Sequence, residues 1–422
     1  MANDPATTQL QASSSRLHVL VAGISKGPLC GVHDHATILA ADLGRAGCDV
    51  TMAWLGNNID TEAQPAHLGR KIQQRCREQR PDVLLLHYSV FAFSRHGVPS
   101  GVLGLARRLR RLSLPVVLFA HELAYPWGLR GWRGAVLALT QRAALIPLVR
   151  ASASVIVTTA GRLEMLESRP WLPHRPIEVL PVFSNIPRSA SASVTTRTGR
   201  VGVFSFGAEG LAALLVTRAV ADVAAKRRGV HLALIGAPGP DGPIAMQWRE
   251  AAARVGCPLT FTGTADAMEI SRQLAACEII VFPDPSGPSQ RKTSLAAALA
   301  HGKPVVALDG PHASPDYADA RALVVVSPSP AALSAEIERL LQNRAARLEL
   351  GARGLAFYEE FLAHERTSEA VLRTIGQMAR NSSAATKMAG RRRMRRRDMA
   401  CRPSQPGSRT GQSFSSWWSG KS

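Results

Sequence analysis

No Asp-X-Asp pair occurs anywhere in the 422 residues. A divalent ion held on a diphosphate by paired carboxylates therefore has no ligands in view. The six cysteines, Cys30, Cys48, Cys76, Cys257, Cys277 and Cys401, form no Cys-X-X-Cys and have no close histidine partners. Neither a zinc finger nor a disulfide framework is implied, and reduced thiols suit a cytoplasmic protein. No uncharged apolar run reaches the length of a membrane span, and Met1 to Ser15 is too polar for a secretory signal. No Gly-X-Gly-X-X-Gly follows the first strand, and no acid closes the second to hold a ribose, which excludes a dinucleotide fingerprint.

Hydrophobic residues make up 46% of the chain and charged residues 19%, the balance of a globular α/β protein long enough for two domains. The formal charge of +20 suggests nucleic acid until it is located, because about half lies beyond Arg380 around GRRRMRRRD. A basic tail can touch RNA, DNA or anionic lipid, but no nucleic-acid motif accompanies it. A solvated, disordered tail is the larger share of that reading, and nucleic acid is not an expected partner.

Strand-like runs recur at βα spacing. They begin at Arg16–Gly23, Gly47–Trp54, Arg80–Tyr88, Pro115–Ala120, Ala153–Thr159 and Ile177–Val182. A Ser/Thr-rich stretch, 189–199, reads as a linker. A second series follows at Val201–Gly207, His231–Gly236, Leu259–Gly263, Glu278–Pro283, Val305–Leu308 and Ala322–Val326. The fold class is α/β, with two doubly wound, Rossmann-like domains facing across a cleft. Doubly wound sheets bind ligands at the carboxyl ends of their strands, so Tyr88, His121 and Glu122 are candidates by position. A strand-end histidine is as often an interior residue. Between Tyr125 and Val149, Trp127, Trp132, Arg130 and Arg133 precede an apolar helix. An interfacial membrane helix and a core helix both fit, the core helix somewhat better.

The densest local signal is Ser286–Gly310, SGPSQRKTSLAAALAHGKPVVALDG. Ser289, Arg291, Lys292, Thr293 and Ser294 form a short polar, doubly cationic run. An Ala/Leu helix follows, then a Gly and Pro stop and a buried strand. A helix start with hydroxyls, free N–H groups and two cations is an anion site. The plainer alternative is a Thr293 or Ser294 cap beside a solvated Arg-Lys pair.

This stretch, with its HGKPVVA, resembles the C-terminal domain of GT-B glycosyltransferases of the family 4 type. GVHDHATILAADL…AGCDV and VLPVFSNIP are similar to that family's opening glycine loop and its crossing into the second domain. The resemblance spans roughly Arg16 to Ala363. It implies that the helix start after Ser289 holds the diphosphate of a nucleotide-sugar, and that His121, within an HE pair, lies near the transferred sugar. The family's two glutamates are replaced by Ser289 and Ala297. Its Arg and Lys after the second domain's first strand give way to Phe206 and Glu209. The sequence thus belongs with divergent members, in which Arg291 and Lys292 must meet the diphosphate largely alone.

The expected organisation is a disordered N-terminus at 1–15, an acceptor-side domain at 16–188 and the linker at 189–199. A nucleotide-sugar-binding domain at 200–365 follows, a helix near 355–378 packs back on the first domain, and a basic tail fills 380–422. The resemblance implies a hexosyltransferase-type enzyme moving sugar from a nucleotide-sugar to a glycan or lipid-linked acceptor, with retention and no metal, in bacterial surface polysaccharide synthesis. His121 and Glu122 are the catalytic candidates. Gly236, Gly263 and Thr264 are the nucleotide candidates, and Gly27, Gly31, His33, Asp34 and Tyr88 line the acceptor cleft. No cofactor and no metal residue is expected, and a peripheral contact at the inner face of the plasma membrane is left open. The rival reading is an inactive GT-B scaffold that binds without transferring.

Overall fold

The computed structural model describes residues 16–400 apart from 26, 28, 57–63, 95, 126, 129–130, 171, 189–194, 205–209 and 237–241. The expected N-terminal segment, most of the linker, and Phe206, Glu209 and Arg130 lie outside the described residues.

Six parallel strands make the first sheet: β1 (His18–Ile24), β2 (Asp49–Leu55), β3 (Val83–Ser89), β4 (Val116–Glu122), β5 (Ser154–Val157) and β6 (Ile177–Val179). Their order is β2-β1-β3-β4-β5-β6. The apolar runs are continuous because both faces are covered. Leu20, Ala22, Leu84, Leu86 and Leu118 turn to one face. Val19, Val21, Val83, Leu85 and Val117 turn to the other, as the two-residue period requires. The connecting helices are α1 (Gly31–Arg45), α2 (Gln64–Gln79), α3 (Gly101–Leu109), α4 (Gly131–Ala151) and α5 (Ala160–Glu167).

The second sheet contains β7 (Arg200–Val203), β8 (His231–Leu234), β9 (Leu259–Phe261), β10 (Ile279–Phe282), β11 (Val305–Leu308) and β12 (Val324–Val326), in the order β12-β11-β10-β7-β8-β9. Its helices are α6 (Leu211–Lys226), α7 (Pro243–Val255), α8 (Ala267–Ala275), α9 (Thr293–Ala300), α10 (Pro315–Asp319), α11 (Pro330–Gln342) and α12 (Arg344–Phe357). Helix α9 is buried from Leu295 to Ala300. Its alanines admit close neighbours, and Gly302 ends it in the left-handed region (φ +61°), where a side chain would be strained.

Each sheet reverses its winding once, between β1 and β3 in the first and between β7 and β10 in the second. Crevices open at these switch points, outside the carboxyl ends of the strands. Helix α1 leaves β1 at one switch point, and α9 leaves β10 at the other.

After a π-helical turn at Tyr358–Leu362 the chain enters α13 (His364–Ala400). The part up to Ala379 belongs to the main body. There Ala370, Val371, Ile375 and Met378 are buried against the first domain's sheet with Val19 and Phe119. Buried Asp42 of α1 accepts hydrogen bonds from Ser368 Oγ at 2.6 Å and His364 Nδ1 at 2.8 Å. The chain from Arg380 forms a separate unit. Within that stretch, which the sequence reads as a disordered tail, α13 continues as far as Ala400. Alanine, methionine and arginine are strong helix formers, and the stretch contains no proline.

Helix α4 is long and apolar enough, by length and composition alone, to cross a membrane. Its buried residues Ala138, Ala144, Leu145, Leu148 and Val149 nevertheless lie on one side, packed in or toward the first domain's core. Trp132 (74% exposed), Val136 (44%) and Leu139 (62%) face outward at helical spacing. It is a core helix with a second apolar stripe.

Candidate active site

Two helix starts meet at the site. Helix α9 begins after Lys292, whose backbone is extended and whose side chain makes no capping bond. Thr293 and Ser294, the capping candidates of the sequence, instead lie inside its first turn. Helix α1 begins at Gly31, and Cys30 ahead of it also makes no side-chain cap. No capping side chain therefore engages the leading N–H groups of either helix. A Cβ built on Gly31 would stand 3.9 Å from Thr293 Oγ1, so the two starts nearly touch. Between them lies a cavity of about 250 Å³ lined by both domains.

Arg291, Lys292 and Thr293 line this cavity from the second domain. Lys292 Nζ forms an ion pair with Asp284. Burial pushes the Asp284 carboxyl up, but the Lys292 charge and hydrogen bonds from Ser286 outweigh it and hold it below its ordinary value. Lys292 thus arrives partly neutralised. Arg291, whose guanidinium lies 3.5 Å from Ser286 Oγ, carries the less compensated charge. Ser289 is buried, its hydroxyl has no partner, and it does not line the cavity.

The first domain contributes Gly31, Val32, His35, Ser89, His121, Glu122, Arg162 and Val182. Glu122 accepts a 2.7 Å hydrogen bond from Ser89 Oγ, which fixes the carboxylate across the ends of β3 and β4. Arg162, in the first turn of α5, donates to the backbone oxygen of His121 and to Thr158 Oγ1. Burial lowers its pKa to about 10. The Arg291 charge adds to this and the Glu122 charge opposes it.

His121 is buried, with its Nε2 3.0 Å from Nδ1 of His87. His35, from α1, packs edge-on to His121 and stacks on Phe183 with centroids 4.1 Å apart. One ligand nitrogen from each of the three histidines falls within 4.8 Å of the others. Burial pushes His35 down to about 3. It also pushes His87 and His121 well below the ordinary imidazole value, with the neighbouring ring charges adding to it. All three rings are neutral at pH 7.

Other sequence candidates fall elsewhere. Tyr88 is corrected: its ring packs in the hydrophobic core against Phe93, and its hydroxyl is buried without a partner. Its strand position is right, but the two-residue period turns it away from the cleft. His33 lies on α1, its ring 5.0 Å from that of Trp54, and Asp34 accepts from Asn185 Nδ2 at 3.2 Å. Neither His33, Asp34 nor Gly27 lines the cavity. Gly236, with its N–H donated to Thr262 Oγ1 at 2.9 Å, lies at the carboxyl end of β8; Gly263 and Thr264 lie beyond β9. They share the sheet edge of the site but do not line the cavity.

Arg162, His35 and Ser89 went unrecognised in the sequence. Ser89 and Arg162 follow the strand-end rule that singles out His121, had it been extended past Tyr88 and Thr159. His35 sits in no motif and is visible only once α1 is folded.

Residues 199–343 match the family model of glycosyl transferases group 1. Among curated proteins none matches the chain by sequence. Solved structures match it by fold. A sucrose-phosphate synthase from Thermosynechococcus elongatus superposes with a TM-score of 0.64 at 16% identity, over 87% of this chain and 100% of that one. HepE from Anabaena, in complex with UDP and glucose, gives 0.60 at 17%, over 86% and 100%. WaaG, a glycosyltransferase involved in lipopolysaccharide biosynthesis, gives 0.59 at 13%, over 83% and 99%. The chain has the GT-B fold, and the stretch that matches glycosyl transferases group 1, residues 199–343, spans most of its second domain.

Proposed function

We propose that the protein is a glycosyltransferase that takes a nucleotide-diphosphate sugar and passes the sugar to a glycan or lipid-linked acceptor. One observation carries this reading. Two uncapped helix starts, one from each domain, converge with Arg162 and Arg291 on a single cavity. N-terminal N–H groups and guanidinium forks are suited to phosphate oxygens. HepE, which binds UDP and glucose, supports the donor class.

In this reading the leaving diphosphate sits at the start of α9. Its developing charge is met by Arg291, by Arg162 across the cleft, by the α9 amides and, less strongly, by Asp284-paired Lys292. No ion on the diphosphate is required. Glu122, held by Ser89, orients the acceptor hydroxyl beside the sugar, and transfer proceeds with retention as in the family resembled. Gly236, Gly263 and Thr264 lie toward the base. The setting proposed is bacterial surface polysaccharide synthesis, to which WaaG, a lipopolysaccharide enzyme of like fold, lends support. The outward stripe of Trp132, Val136 and Leu139, with Arg133 beside Trp132, fits an anionic membrane surface near such acceptors.

Thermal shifts with UDP, GDP and ADP test the donor site, and turnover of the matching sugar nucleotides tests transfer. A nucleotide shift with no transfer to any glycan or lipid acceptor would identify the inactive scaffold. No shift with any of the three would remove the donor site as well.

A further inference from the structure

The three histidines beneath the cleft come from three elements: His35 from α1, His87 from β3 and His121 from β4. We infer that His35, His87 and His121 form a binding site for one divalent transition-metal ion of the zinc class. The site lies in the first domain, apart from the diphosphate position, and does not depend on the donor reading. No two of the three stand at a ligand spacing along the chain, so the sequence gives no sign of the set.

The geometry fits the ion. Zinc holds imidazole nitrogen at about 2.0–2.1 Å in a tetrahedral shell, which sets its ligand nitrogens roughly 3.3 Å apart. His87 Nδ1 and His121 Nε2 stand 3.0 Å apart, and a nitrogen of His35 completes a set contained within 4.8 Å. Three imidazoles leave a fourth position open, and two of the three residues, His35 and His121, line the cleft cavity.

The chemistry fits as well. A metal ligand must be neutral imidazole, which offers one lone pair per ring. Three neutral rings present three lone pairs. The hydrogen bond between His87 and His121 uses one of them, and an ion that replaces it requires the bridging proton to pass to the donor ring's other nitrogen, whereas neither nitrogen of His35 has a partner. Leaving such an atom buried and unpaired opposes folding. Phe119 lies 4.7 Å from the His121 ring and Phe183 covers His35, so apolar walls surround the donors. Among the described residues no carboxylate belongs to the set, which disfavours magnesium or calcium and favours zinc, cobalt or nickel.

The test uses the full chain purified without a histidine tag. Elemental analysis after gel filtration from zinc-containing buffer is expected to find about one zinc per chain. Cobalt(II) added to stripped protein is expected to give the visible absorption of a four-coordinate nitrogen site. His35→Gln and His87→Gln should each bind cobalt at least about tenfold more weakly, with circular dichroism reporting that they fold. His35→Phe, which retains an aromatic ring against Phe183, serves if the glutamine variants do not fold. Wild-type protein that takes up neither ion overturns the site. So does a cobalt signal that survives these replacements, since it would arise from the free thiols instead.

Discussion

Arg162 of the first domain and Arg291 of the second line one cavity, and the charge of Arg291 adds to burial in lowering the pKa of Arg162. Two like charges held across a crevice destabilise the empty protein and favour an anion between them. Arg291→Ala and Arg162→Ala are each expected to weaken UDP binding roughly 10–100-fold, the worth of one charge-assisted contact. Arg291→Ala should do so with an unchanged or higher urea midpoint in the absence of ligand, because a repulsion is removed. Calorimetric titration and urea unfolding read the two effects. Unaltered UDP affinity in both variants would remove the diphosphate from this cavity.

Glu122 is held by the Ser89 hydroxyl, and a hydroxyl donor leaves the carboxylate free to accept a second hydrogen bond. If it orients the acceptor, Glu122→Gln should raise the acceptor KM by about tenfold, a loss near 1.4 kcal/mol. UDP affinity should remain within about threefold. Ser89→Ala should move the same parameter in the same direction by a smaller amount. Steady-state kinetics with acceptor varied at saturating donor decide this. A fall in kcat alone, without a change in acceptor KM, would assign Glu122 to the chemical step.

How much of this was legible in the chain follows from what kind of signal each residue leaves. The strands announce themselves, because Val83-Leu84-Leu85-Leu86 and Val305-Val306-Ala307-Leu308 are apolar on both faces and only a covered parallel sheet wants that. The α9 start was legible too, since polar residues, a small-residue helix and a Gly-Pro stop are local. What stayed hidden depends on the third dimension. Arg162 is one arginine among many, and only the neighbourhood of β4 and β5 brings it to the cleft. Tyr88 misled because the strand-end rule gives the position and not the face. His35 was passed over for His33, yet α1 begins at Gly31 and its turn points His35 inward, stacked on Phe183.

His301, which ends α9, offers a pH test. Its Nδ1 lies 2.7 Å from the Ala297 carbonyl oxygen, which can only accept, so Nδ1 carries the proton. Nε2, 2.8 Å from Ser271 Oγ, then accepts from that hydroxyl. Protonation of Nε2 would reverse that bond, so that Ser271 Oγ has to accept from it. Burial lowers the His301 pKa below 6.5, the Ala297 bond partly opposes this, and Lys303 and Arg188 add to the lowering. A histidine whose folded pKa is depressed binds fewer protons when folded. Its contribution is therefore complete above pH 6.5 and is lost as the pH falls below it, at no more than about 1.4 kcal/mol per pH unit. Urea midpoints of wild type and His301→Gln should differ more at pH 7.5 than at pH 5.5. An equal difference at both would show that His301 does not titrate between the two states.

The outward face of α4 makes the last prediction, about where the protein works. Trp132, Val136 and Leu139 recur at helical spacing, and Arg133 lies over the Trp132 ring with its guanidinium carbon 5.6 Å from the centroid. Apolar side chains at this spacing would be turned inward in a helix meant only for water. Burying a leucine- or tryptophan-sized side chain contributes about 1.5–3 kcal/mol, and each basic residue near an anionic leaflet about 1 kcal/mol. The double replacement Trp132→Ser and Leu139→Ser should therefore lower affinity for phosphatidylglycerol vesicles by at least tenfold, about 1.4 kcal/mol. UDP binding should be unaffected, since neither residue lines the cavity. Ending the chain after Ala379 separates the two sources of basic charge. If α4 is the anchor, the shortened chain keeps most of its vesicle affinity in low salt and the serine pair still abolishes it. If the shortened chain loses binding while the serine pair retains it, the arginine-rich helix end is the contact and α4 is only a core helix with an apolar exterior.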